Sequence, residues 1–170
     1  MQTAARQIAE LLAALEGLDT PSLRRPCPGR EKLGDGTVGA AAAHTVENYR
    51  LIADFVAAGA RLTESRRSGE RGHRRPRLLA RAGHTRTDHS SVHGERYAAG
   101  TVDLSALRAT LSTARRTLAG IGELSDAQLD QVPPGGSFRF ADGERTLQQV
   151  LDCLLNHQRH QIDAIRGALG

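Results

Sequence analysis

The sequence predicts an all-α fold, a four-helix bundle with a long loop between its second and third helices, and three observations point there. Apolar residues recur at steps of three and four in four separate stretches. The apolar content is carried by Ala and Leu, with no Trp, two Tyr and three Phe, a composition poor in strand formers. One polar stretch, 61–97, interrupts the periodic pattern between the second and third of those stretches. A length of 170 residues suits one domain with its own core, so 1–170 is read as a single domain.

The first helix spans 3–18, with Ile8, Leu11, Leu12 and Leu15 on one face and Gly17 near its end. A loop dense in Pro and Gly follows, DTPSLRRPCPGREKLGDG, which cannot continue the helix and holds Cys27 between two prolines. Asp35 or Thr37 caps the second helix, which is apolar over more than half its circumference through Val38, the alanine run, Val46, Tyr49, Leu51, Ile52, Phe55 and Val56. Such a helix belongs near the centre of a bundle. The stretch 61–97 has no sustained period, and ten arginines face four acids in it. It is too polar to repay its ordering entropy, apart from a short helix expected over 76–82. Asp103 caps the third helix, where Leu104, Leu107, Leu111, Ala114, Leu118 and Ile121 give the strongest periodicity in the chain. One or two helical turns are expected in SDAQLDQV, and Phe138 and Phe140 ahead of Asp142-Gly143 suggest a small hairpin or extended lid. The fourth helix spans 146–169 and opens on a capping box, Thr146 with Gln149.

Composition and charge narrow the function classes. The net charge of +4 is mild, and the basic stretch has neither interleaved aromatics for base stacking nor a known reading motif, which argues against nucleic acid as a partner. No apolar run approaches the roughly 20 residues that span a bilayer, and the N-terminus has helical rather than signal-peptide patterning. Cys27 and Cys153 lie far apart and form no CxxC pair, so no disulfide is expected and a cytoplasmic protein is the reading. A small-molecule substrate is the expected partner, and a homodimer stays open.

The candidate chemistry lies on the second and fourth helices. His157 and His160 sit near the middle of the fourth helix, with Cys153 one turn before His157 and Gln161 one turn after it, all able to reach one flank. With His44 from the central helix they would form a three-histidine metal site with open positions, as a catalytic metal requires. The plainer alternatives are a hydrogen-bonded core histidine at 44 and a solvated helix flank at 157 and 160. Cys153 is a softer candidate, since a buried cysteine is usually a small hydrophobe. His84, His89 and His93 could hold a second metal or close over the first, or they and His73 are solvated loop residues.

The stretches GDGTVGAAAAHTVENYRLIADF and RTLQQVLDCLLNHQRHQIDAI, in that order, resemble the DinB-like superfamily of four-helix-bundle metal enzymes, including the mycothiol-dependent and bacillithiol-type members. The resemblance puts His44 on the family's first ligand position and His157 on its second, in an HxxxHxxQ-type motif. In that register the third position is Gln161, with His160 one residue earlier, and Gly36 stands where a tryptophan is usual. A shifted register puts His160 on a ligand position, Asn156 on the preceding one and Asp163 at the Gln position, closer to the ExxxHxxD variant. Imidazole is a better transition-metal donor than amide, so His44, His157 and His160 form the expected ligand set, with Gln161 bonding a bound water or substrate. Zinc or nickel suits that set. The resemblance implies a transferase or isomerase that uses the thiol of a low-molecular-weight cofactor such as mycothiol against a small electrophile. The alternative is a non-catalytic member of the same fold that binds a metal or a small ligand. Arg96 and Arg159 are generic candidates for the carboxylates of such a cofactor.

Overall fold

A computed structural model describes residues 1–67 and 99–170, and within them the chain is all helix and turn apart from one isolated bridge between Pro26 and Thr37. The long helices are α1 (Gln2–Glu16), α3 (Val38–Arg67), α4 (Leu104–Ile121) and α6 (Leu147–Leu169). Short helices α2 (Thr20–Leu23) and α5 (Asp126–Leu129) and a 3-10 turn at Ala99–Thr101 lie between them. The expected short helix over 76–82 and the histidines 73, 84, 89 and 93 lie outside the described residues, as does Arg96. No described helix is long and apolar enough to cross a membrane.

Local chemistry sets the helix ends. Thr146 accepts from the Gln149 N–H while Gln149 reaches back to the Thr146 N–H, closing the expected capping box at α6. Asp103 accepts from the N–H groups of Ser105 and Ala106 at the start of α4. At α3 both candidate caps act in relay: Asp35 holds the Thr37 hydroxyl at 2.5 Å, and that hydroxyl accepts from the Ala40 N–H at 3.2 Å.

Three expectations change. The loop after α1 contains a helical turn, α2, because Asp19 caps it and Pro21 falls within its first turn, where a missing N–H costs nothing. The helix α3 runs on to Arg67, past the point where apolar periodicity ends, since Ala, Leu, Glu and Arg all have high helix propensity. The hairpin expected around Phe138 and Phe140 is instead a series of turns, in which the Gly136 N–H meets the Ala141 carbonyl at 2.8 Å. Phe140 takes φ of 68°, which ends any extended run.

The helix α3 packs on α4 and α6, and α1 packs on the same two. Ile8, Leu11 and Leu15 of α1, Val46, Tyr49 and Ile52 of α3, Leu111 and Leu118 of α4, and Val150, Ile162 and Ile165 of α6 fill one core. Polar ties cross it. Tyr49 donates to Gln7 Oε1 at 2.7 Å, and Gln7 Nε2 donates to the Leu155 carbonyl at 3.1 Å, joining α3, α1 and α6. Burial holds the Tyr49 phenol well above its ordinary pKa, so it stays a donor. Tyr49→Phe leaves the buried Gln7 oxygen without its donor and is expected to cost about 1–3 kcal/mol. The check is the urea midpoint at constant slope; an unchanged midpoint would mean that this chain of bonds contributes nothing net.

Candidate functional site

The site forms where α3 passes α6. Ala40, Ala41, Ala42 and Ala43, in the turn before His44, are all buried. A direct bond fixes the register: Gln158, 1% exposed, donates from Nε2 to the Thr45 carbonyl at 3.2 Å. His157 precedes Gln158 and His44 precedes Thr45, so the same contact brings the two imidazoles together. Their ring centroids lie 6.2 Å apart, with planes at 84°.

Both rings are held by N–H donors. The Asn48 amide nitrogen lies 2.9 Å from His44 Nε2, one turn along α3. Arg139 Nη1 lies 3.3 Å from His157 Nε2 and the Gln161 amide nitrogen 3.4 Å from it. A guanidinium can only donate, so Nε2 of His157 accepts and the ring proton sits on Nδ1. Burial, then the positive charges of Arg139, Arg30 and His160, push the His157 pKa down to about 4. His157 is therefore neutral at physiological pH. Gln161 is 4% exposed, and its carbonyl oxygen is buried with no hydrogen-bond partner.

The turns at 133–145 deliver Arg139. Phe138 stacks on Phe55 of α3, with centroids 4.7 Å apart and planes at 17°. On the other side of Arg139, the Phe140 ring lies 6.4 Å from the His157 ring and 4.9 Å below the Arg139 guanidinium. A left-handed backbone at a bulky residue costs on the order of 1–3 kcal/mol. The Gly136 to Ala141 bond and the close approach of Gly135 to the Asp142 carbonyl, where a Cβ would stand 2.9 Å away, hold that conformation. Asp142 further accepts from the N–H groups of Glu144 and Arg145, closing the turn into α6.

The expected ligands part company here. His44 and His157 meet; His160 is exposed, and its main-chain carbonyl accepts from Arg30 at 2.7 Å. Gln161, in the adjacent position, faces His157 instead. Cys153 is a half-buried free thiol, and Cys27 is a buried one whose pKa burial pushes up. Arg159 is paired with Glu10 of α1, at 2.5 Å, and is a structural tie between α6 and α1 rather than part of this site. Sequence reading missed Arg139 and Gln158. The alternation of Phe138 and Phe140 pointed to a hairpin or lid at this place and said nothing of the arginine between them.

A metal is tested directly by this donor set. Among the described residues no three His, Cys, Asp or Glu side chains gather to hold one. Two imidazoles on a tetrahedral zinc at about 2.1 Å have centroids near ~5.3 Å, so these rings would need to close by about 1 Å. Both Nε2 atoms face N–H donors, and the fixed charge of Arg139 opposes a cation at His157. As they stand, the described residues bring no third such ligand to His44 and His157.

The depressed basicity of His157 gives a measurable signature. Its ring should titrate near pH 4 by NMR, and Arg139→Gln should move that titration upward while leaving it below 6.5, because burial is the larger cause. The folded pKa lies below the unfolded one, so the folded state binds the proton less readily. The His157 contribution to stability is complete above about pH 6.5 and falls away as pH drops toward 4. A ring titrating near 6.5 in the wild-type protein would refute the buried, arginine-facing placement. No protein-family model, no curated protein and no solved structure matches this chain.

Proposed function

We propose that the protein is a non-catalytic, small-ligand-binding member of the DinB-like four-helix-bundle family, with its ligand seated at His44, Asn48, Arg139, His157 and Gln161. The observation that carries this reading is the Gln161 carbonyl, buried and unpartnered beside an imidazole held neutral. An unsatisfied buried acceptor costs about 1–3 kcal/mol, and the left-handed Phe140 adds to it. Five polar side chains converge here from two helices and a strained turn, a makeup that suits binding more than stability. Gln161 occupies the third ligand position of the resembling family, so the departure from that family's pattern falls on a residue facing the site.

The second reading is the metal-dependent thiol transferase or isomerase, supported by the resemblance and by the meeting of His44 with His157. It requires Arg139 to leave His157 and the amide of Gln161 to turn its oxygen inward.

Two titrations of untagged protein separate the readings. A fragment library followed by side-chain NMR should yield compounds that shift the His157 ring and the Gln161 amide saturably, and His157→Ala should abolish those shifts. Zinc or nickel should bind below stoichiometry. Stoichiometric metal lost in both His44→Ala and His157→Ala would replace the binding protein with the metal centre. If no fragment moves either resonance, the pocket reading fails.

A further inference from the structure

The loop that joins α5 to α6 is closed on itself twice. At its base the Leu147 N–H donates to the Gln131 carbonyl at 2.7 Å. Further in, a neck forms: a Cβ on Gly135 would stand 2.9 Å from the Asp142 carbonyl oxygen, and one on Gly143 would stand 3.4 Å from the Gly135 nitrogen. Beyond the neck the head, 136–141, is bonded within itself. The Gly136 N–H meets the Ala141 carbonyl at 2.8 Å, and the Ala141 N–H meets the Phe138 carbonyl at 3.1 Å. Gly136 and Gly143 take φ of 74° and 88°, so the backbone reverses at both ends of the head. A loop whose ends meet and whose interior is hydrogen-bonded is a compact unit that moves as one body.

The head is attached to the helices by side chains alone. Phe138 stacks on Phe55 of α3, Arg139 reaches His157 Nε2 at 3.3 Å, the Phe140 ring centroid lies 6.4 Å from that of His157, and Ala141 joins the core. Among the described residues no main-chain hydrogen bond runs from the head to α3 or α6. The docked position also has a cost. Ser137 is 7% exposed, and its hydroxyl is buried without a partner. The Gln161 amide converges with Arg139 on the same His157 nitrogen, and its oxygen is orphaned too. Lifting the head opens both groups to water, which offsets part of what the lost contacts cost.

We propose that the loop 131–147 is a strap whose head lifts as one body about the Gly135–Asp142 neck and so admits a ligand to the His44–His157 pair. The proposal rests on the small-ligand reading above and adds how the site is reached. When the head is docked, Arg139 takes up the Nε2 side of the His157 ring and Phe140 stands near it, so the strap's own side chains occupy that approach. Phe138 is the latch, because its stack on Phe55 is the head's aromatic hold on α3. Opening is a loop motion gated by a few side-chain contacts, of the kind that controls entry to many binding sites.

The test needs no ligand. Full-length protein is treated with diethyl pyrocarbonate, and carbethoxylation is followed at each histidine by peptide mass spectrometry, with exposed His160 on the same helix as internal reference. In the wild type His157 should react about tenfold or more slower than His160. Phe138→Ala, which removes the latch, should raise the His157 rate by about fivefold or more and leave the His160 rate unchanged. Exchange of the Gly136 and Ala141 N–H groups, read by NMR in the same variant, should stay as in the wild type, because those bonds travel with the head. If Phe138→Ala does not fold, Phe138→Leu, which keeps apolar volume and loses the stack, should give the same changes at smaller size. A His157 rate equal to that of His160 in the wild type, or unmoved by loss of the latch, overturns the strap. Exchange at Gly136 and Ala141 that accelerates in step with His157 overturns it as well, since the head would then unfold rather than lift. A His157 rate that rises while no fragment binds upholds the strap and removes the small-ligand reading. Fragments that bind while the rate does not move uphold that reading and remove the strap.

Discussion

The bond from the Gln158 side chain to the Thr45 carbonyl, which ties α6 to α3, is the constraint on which the remaining features depend. That single bond sets how far α6 is rotated and shifted against α3. His157 and His44 each lie one residue before its ends, so their meeting follows from the helix register rather than from any attraction between the two rings. Gln161, one turn further along α6, enters on the same side. His160, a quarter-turn or so round the helix, is carried outward.

Energetically the molecule divides into two regions. Away from the site most polar groups that cross the core are matched, Tyr49 with Gln7, Gln7 with the Leu155 carbonyl and Arg159 with Glu10, although Arg108 Nε is buried without a partner. At the site they are not, for Gln161 Oε1 and Gln158 Oε1 are buried without partners, and Phe140 has a left-handed backbone. Each departure costs stability on the scale of one kcal/mol or more, against a total of about 5–15 kcal/mol for a domain. The two glutamine oxygens and the left-handed residue therefore place part of the fold's uncompensated cost beside the imidazole pair. The turns at 133–145 tolerate it because the Phe138–Phe55 stack and the Gly135 approach anchor both sides of the strained residue.

Much of this was legible in the residues. The 3-4 spacing located α1, α4 and α6, and cap residues placed the starts of α3, α4 and α6, because those signals act within a turn or two of the chain. His44 and His157 were legible as partners through the family-like register of their helices. Arg139 was not, since its role depends on a backbone reversal at Phe140 that an alternating Phe-Arg-Phe pattern disguises as a strand. The short α2 was hidden by the prolines around it, although Asp19 followed by Thr-Pro is a helix-start signal of the kind read elsewhere.

By itself the sequence determined the helical class, the positions of the long helices and the two histidines that could face one another. These follow from local propensity, periodicity and capping, whose physics is complete within a few neighbouring residues. Which member of the pair His160 and Gln161 turns toward the site beside His157 was decided only in three dimensions. Both residues lie within reach of the same helix flank, and the choice depends on the rotation of α6 against α3, in which the Gln158 to Thr45 bond takes part. The arginine beside His157 came from a turn remote from His44 in sequence, where the packing of Phe138 on Phe55 and of Phe140 near His157 places it.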